Sequence, residues 1–196
     1  MRYATVAGCS HTAGVGVDQS ECYVSLLAEH YNLSIVNQGL SGGSSVDVLM
    51  NIVDTVKSIN KPEFVIAQWP NAIRKPIWIN GKRFLQNINS FDESFKILLA
   101  SDEENFYAPW IQSIIISNLL CNLAQIPLIN IVLDNVAKKF IDLLQKENIT
   151  LHYDEKLPGR SWIFDNAATD SVHHSSACHR QWAERLIGII NELTAR

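Results

Sequence analysis

The stretch "DSVHHSSACH", Asp170 to His179, holds one carboxylate, three of the chain's six histidines and a thiol within ten residues. Three readings fit it. Asp170 stands three residues before His173, a spacing that lets the carboxylate orient the imidazole from behind while the ring faces a serine from another loop. His173, His174, Cys178 and His179 are all of metal-ligand type, and His174 and Cys178 can share a helical face. Structural zinc takes four ligands, however, and no second Cys/His/Asp cluster lies at a recognisable spacing. The third reading is packing. His179 precedes Trp182 and Ala183 on the inward face of a last helix, and Ser175 or Ser176 serves as that helix's N-cap. The reading adopted uses no metal and no cofactor.

A second stretch, "GCSHTAG", places Ser10 between an apolar run and a helix. A nucleophilic serine needs a tightly turned position with backbone N–H groups nearby to hold an oxyanion. Gly8, Gly14 and Gly16 permit such a turn, and the same residues fit a plain strand–helix loop equally well. The stretch is not a P-loop, because no G-K-[ST] follows. It also fails the dinucleotide fingerprint and the G-x-S-x-G elbow.

The elements that must position these residues can be read from hydrophobic pattern. "YATVAG", "LSIVN", "PEFVIAQW", "PLINIVL" and "ITLHY" are short, nearly all-apolar runs, as expected of strands buried on both faces. Amphipathic segments separate them. Asp18 and Glu21 form a capping-box pattern ahead of a helix with Val24, Leu27, Ala28 and Tyr31 on one side. "GLSGGSS" opens a helix carrying Val48, Leu49, Ile52, Val53 and Val56. Residues 109–125 and "NVAKKFIDLLQKEN" predict two more helices. Trp182, Leu186, Ile189, Ile190 and Leu193 line the last. This alternation predicts an α/β chain with a parallel five-stranded sheet and helices on both faces.

In such sheets ligands bind beyond the carboxyl ends of the strands. Four polar stretches fall there: "GCSHTAG", "NQGLSGGSS", "QWPNAIR" and "DSVHHSSACH". One segment, about residues 75–108, interrupts the alternation. Its Asn80-Gly81 predicts a hairpin, and an insertion at that end of a sheet is placed to border a site. The 196 residues are read as one domain, 1–196, with that insertion.

Composition narrows the partners. With 47% hydrophobic and 18% charged residues the chain can pack a core, and its net charge of −4 gives no footprint for nucleic acid. The longest apolar run is broken by Ser and Asn, so no membrane span is expected. The N-terminus lacks a signal-peptide pattern. Cys9, Cys22, Cys121 and Cys178 are read as free thiols in a reducing compartment, so the expected location is cytoplasmic. The oligomeric state stays open.

Taken in order, the four polar stretches resemble the SGNH (GDSL-type) hydrolase family over nearly the whole chain. Gly8 and Ser10 match its G-D-S-like motif, with Cys9 where Asp is usual. Gly39 matches the glycine after the second strand. Asn71 in "WPNA" matches the Asn of G-x-N-D, with Trp69 and Ala72 at its outer positions. Asp170 and His173 match the final D-x-x-H. The resemblance implies a flavodoxin-like three-layer α/β/α sandwich. It also implies a serine-dependent ester hydrolase acting on a small-molecule or glycan ester, with a carbohydrate O-acetyl group as one option. Ser10, His173 and Asp170 would be nucleophile, base and orienting acid. The Ser10 and Gly39 N–H groups and the Asn71 amide would hold the oxyanion. Trp69 and Arg74 would mark a divergent subgroup and contact substrate, with Arg74 gripping an anionic group or making only a surface ion pair. A same-fold O-acyltransferase and a non-catalytic glycan-binding or assembly protein remain alternatives.

Overall fold

The computed structural model describes residues 2–72, 74–79, 82–86, 93–132, 138–153 and 173–194. In chain order the strands are β1 (Tyr3–Gly8), β2 (Ser34–Gly39), β3 (Val65–Trp69), β4 (Lys75–Ile79), β5 (Lys82–Gln86), β6 (Leu128–Val132) and β7 (Leu151–His152). The helices are α1 (Ser10–Ala13), α2 (Tyr23–Tyr31), α3 (Ser45–Lys57), α4 (Glu93–Leu123), α5 (Lys138–Lys146) and α6 (Ser176–Thr194). Five strands pair in parallel in the order β2-β1-β3-β6-β7, and β4 pairs antiparallel with β5 as a separate hairpin. The hairpin's Asn80 and Gly81 lie outside the described residues.

The apolar runs become central strands because both faces are covered. All five residues of β3 are buried. Its side chains alternate, as the two-residue period of a strand requires. Ile66 joins Val6, Ile129 and Ile131 against Leu27 of α2 and Leu186 and Ile190 of α6. Val65, Ala67 and Trp69 point the other way, into a core with Ile52 of α3, Ile114 of α4 and Leu144 of α5. The result is three layers, α/β/α. Each fully buried aliphatic side chain contributes roughly 1.5–3 kcal/mol, so these two cores dominate the fold's stability.

From β1 the chain moves to one side for β2 and returns to the other for β3. Such a reversal opens a crevice at the carboxyl ends of the two inner strands. β1 ends at Gly8, immediately before Cys9 and Ser10, and β3 ends at Trp69, immediately before Pro70 and Asn71.

Two local features differ from the sequence pattern. The helix expected at 109–125 runs from Glu93 to Leu123, with Pro109 inside it. Proline is favoured in a helix's first turn, which is why it read as a start. Asp18 makes no side-chain cap; it precedes a single 3-10 turn, and α2 starts later, after Cys22. Glu21 instead accepts hydrogen bonds from Ser176 Oγ (2.6 Å) and Arg180 Nη2 (3.0 Å) at the start of α6. Ser44 and Asp47 build the capping contact at α3, where the Ser44 N–H and hydroxyl both donate to Asp47 Oδ2 (2.7 and 2.6 Å). Among the described residues, no helix is long and apolar enough to cross a membrane.

Trp69 is wholly buried, and its indole N–H donates to Asn130 Oδ1 on β6 at 2.9 Å. Asn130 Nδ2 in turn donates to Asn118 Oδ1 of α4 at 3.2 Å. Trp69→Phe leaves that buried Asn130 oxygen short of a donor and opens a void. The unmet acceptor alone costs about 1–3 kcal/mol, which a urea unfolding curve checks as a lower midpoint at unchanged slope.

Candidate active site

The turn after β1 is built by close approach. A Cβ on Gly39 would lie 2.3 Å from the Ala13 nitrogen and 2.6 Å from the Thr12 carbonyl carbon, both main-chain atoms that cannot yield. A Cβ on Gly8 would lie 2.0 Å from Thr12 Oγ1. Both strand ends therefore lack side chains where α1 rests on them. Three groups then fix the turn. Gln68 Oε1 accepts from the Cys9 N–H (2.9 Å) and from Thr12 Oγ1 (3.2 Å), and Thr12 Oγ1 pairs with the Tyr23 hydroxyl (2.8 Å). Asn37 Nδ2 donates to the Thr12 carbonyl at 2.8 Å. Gly14, in the left-handed region at φ 73°, ends α1.

Ser10 is the first residue of α1 and is 3% exposed. His11 follows it. The His11 ring meets the His173 ring edge-on, with centroids 5.4 Å apart, and lies tilted against the His174 ring at 4.3 Å. The segment before α6 is thus brought to the turn that carries Ser10. Asp170, the expected orienting acid, lies outside the described residues.

The remaining candidates take distinct places. Gly39 sits against α1 with its N–H donated to Asn37 Oδ1 at 2.9 Å, so this amide already has an internal acceptor. Asn71 is half-buried and its carbonyl accepts the Arg74 N–H at 3.1 Å, closing a turn after β3. Arg74 is half-buried, and its Nη1 is buried with no hydrogen-bond partner among the described residues. Trp69 does not join this group. Its ring is wholly buried in the core, with the indole N–H donated to Asn130 Oδ1.

His174 and His179, which the sequence left without chemistry, are structural neighbours of the site. His174 is buried beneath His11. His179 is 2% exposed, its Nδ1 accepts the Tyr23 N–H at 3.2 Å, and its ring stacks on that of Tyr23. The Ser175 carbonyl accepts the His179 N–H at 3.1 Å, which makes Ser175 the N-cap. Among the described residues, no group of three His, Cys, Asp or Glu side chains is placed to hold a metal ion. A cleft of about 670 Å³ opens elsewhere, between α4, α6 and β7, and no candidate residue lines it.

Burial sets the charge state of the cluster. Desolvation holds His11 well below its ordinary value, and His174, His173 and Arg74 push the same way. Burial, then His173, lowers His174. Burial lowers His179 to about 4, with His174 adding to the shift and Glu21 opposing it. The neutral ring suits His179, because its Nδ1 must be free of a proton to accept from Tyr23.

The comparisons with known proteins bear on this geometry. No family model and no curated protein sequence matches the chain. Solved structures do match. The psychrotrophic esterase EstA from Pseudoalteromonas sp., in a structure inhibited by monoethylphosphonate, superposes with a TM-score of 0.65 over 100% of both chains at 13% identity. A member of the lipolytic protein G-D-S-L family from Veillonella parvula DSM 2008 gives 0.58 over 97% of this chain and 99% of that one, at 14% identity. The acetyl xylan esterase Est2A from the rumen bacterium Butyrivibrio proteoclasticus gives 0.59 over 98% of this chain and 64% of that one, at 13% identity. The chain has the fold of the SGNH (GDSL-type) hydrolases.

Two outcomes test the site's construction. Gly39→Ala pushes a methyl into the α1 backbone and costs roughly 1–3 kcal/mol or more, read by chemical denaturation. The second is pH dependence. An unfolded chain protonates His179 near 6.5, whereas the folded chain holds it neutral down to about 4. Stability is therefore complete above pH 6.5 and falls as pH drops toward 4, by about 1.4 kcal/mol per unit for each such histidine. His179→Gln makes that pH slope shallower by about one proton, whatever its effect on stability at pH 7.

Proposed function

We propose that the protein is a serine-dependent ester hydrolase with Ser10 as nucleophile. The observation that carries this reading is the contact between His173 and His11. It brings a D-x-x-H histidine to the residue directly after a serine at the crevice end of β1. The esterase fold of the neighbours supports it.

In this reading Ser10 Oγ attacks the ester carbonyl carbon while His173 takes the hydroxyl proton. The oxyanion forms against the Ser10 and Gly39 N–H groups and the Asn71 amide. The Gly39 N–H would exchange Asn37 Oδ1 for the oxyanion, so Asn37 holds that amide in place before substrate arrives. The tetrahedral intermediate collapses, and the leaving alkoxide takes its proton from His173. Water, deprotonated by His173, then attacks the acyl-enzyme and releases the acid and Ser10. Asp170 would fix the imidazole and balance its charge. A fold neighbour is an acetyl xylan esterase, which makes an acetylated sugar the first substrate to try.

A fluorophosphonate probe tests the nucleophile. Labelling is expected in the wild type and lost in Ser10→Ala, together with at least a 10³-fold fall in 4-nitrophenyl acetate hydrolysis. Labelling that persists in Ser10→Ala sinks the assignment. A wild type that takes neither probe nor ester but binds acetylated glycan would leave a binding protein on this fold.

A further inference from the structure

Two nitrogens at this end of the sheet, Arg74 Nη1 and His11 Nδ1, are buried without a hydrogen-bond partner among the described residues. An unmet buried polar atom costs about 1–3 kcal/mol, and more on a charged group. Such an atom calls for an explanation, and a group from outside the chain is one. The guanidinium cannot shed its proton, so it needs an acceptor, and a neutral imidazole offers a donor or an acceptor according to tautomer.

The backbone brings the segments that carry these two side chains to the same end of the sheet. β1 and β3 are adjacent parallel strands, and the Cys9 N–H is tied to Gln68 Oε1 one residue before β3 ends. Past that end, the Arg74 N–H returns to the Asn71 carbonyl and folds the segment into a turn. The Arg74 charge is felt at His11. Among the described residues, the rings touching His11 are His173 and His174, and neither adds a negative charge.

We propose that Arg74 and His11 form an anion-binding subsite beside Ser10, and that the ester taken by this site carries a carboxylate or phosphate group. The proposal rests on Ser10 being the nucleophile and adds the class of substrate. A planar guanidinium matches a carboxylate or phosphate edge with two N–H donors, which would position one end of the ester while Ser10 meets its carbonyl. Arg74 and His11 act here as binding residues and take no part in proton transfer.

The test compares matched esters. On the alcohol side the pair is 4-acetoxybenzoate and its neutral methyl ester. On the acyl side it is mono(4-nitrophenyl) succinate and 4-nitrophenyl butyrate. For each pair, the anionic-to-neutral ratio of kcat/KM is measured in wild type and Arg74→Gln. The ratio falls at least tenfold in one pair, which also tells which side of the ester bears the anion. Arg74→Lys keeps the charge but loses the fork, so its ratio falls by a smaller factor; it stands in if Arg74→Gln does not fold. Ratios unchanged in both pairs overturn the proposal and leave water as the partner of the two nitrogens. If no ester is turned over, the hydrolase reading fails by itself. The subsite is then judged by calorimetry with succinate and inorganic phosphate. Saturable binding that weakens at least tenfold in the Arg74 variant supports it, and the absence of binding overturns it.

Discussion

The turn Ser10–Ala13 lies directly on two strand ends that carry no side chains of their own. Gly39 leaves main chain against main chain, and Gly8 admits the Thr12 hydroxyl. Gln68, one strand over, then receives both the Cys9 N–H and the Thr12 hydroxyl. This contact sets the height of the turn above the sheet. It fixes how far Ser10 stands from whatever the last loop brings. Everything else at the crevice, including the histidines, packs onto a surface whose position is already decided by two missing Cβ atoms.

The fold could be read from the sequence because its signals are local. Buried parallel strands are continuous apolar runs, and β3 shows this at every residue. His179 could be read for the same reason, since its neighbours on the helix face are Trp182 and Ala183. Other features were decided by partners distant in sequence. The partner of the Trp69 indole, Asn130, lies 61 residues away and could not be read from its neighbours. Glu21 looked like a local cap, but Ser176 and Arg180 outcompete the nearby backbone for it. Gly39 was picked out by family resemblance, whereas in the structure its lack of a side chain is a steric requirement of α1. His11 went unnoticed because one histidine after a serine carries no pattern. Its meaning comes from His173, His174 and the Arg74 charge.

The crevice concentrates imidazoles in a protein whose two cores are otherwise apolar. Three rings, those of half-buried His11 and of buried His174 and His179, are each pushed toward the neutral form, chiefly by desolvation. Neutral rings pack as flat, weakly polar plates. A charged set in the same place would repel itself and Arg74. The arrangement therefore favours near-neutral conditions twice over, through packing and through the acceptor role of His179 toward the first N–H of α2.

The tie from Glu21 to Ser176 and Arg180 has a consequence for how the molecule comes into being. It joins the third element of the chain to the start of α6, the last described one. The His11 ring likewise finds its partners only in that late segment. During synthesis the first strands and α1 emerge long before the residues that complete the crevice. The serine turn is synthesised with His11 but well ahead of His173 and His174. The crevice is complete only once the late segment has met the early one.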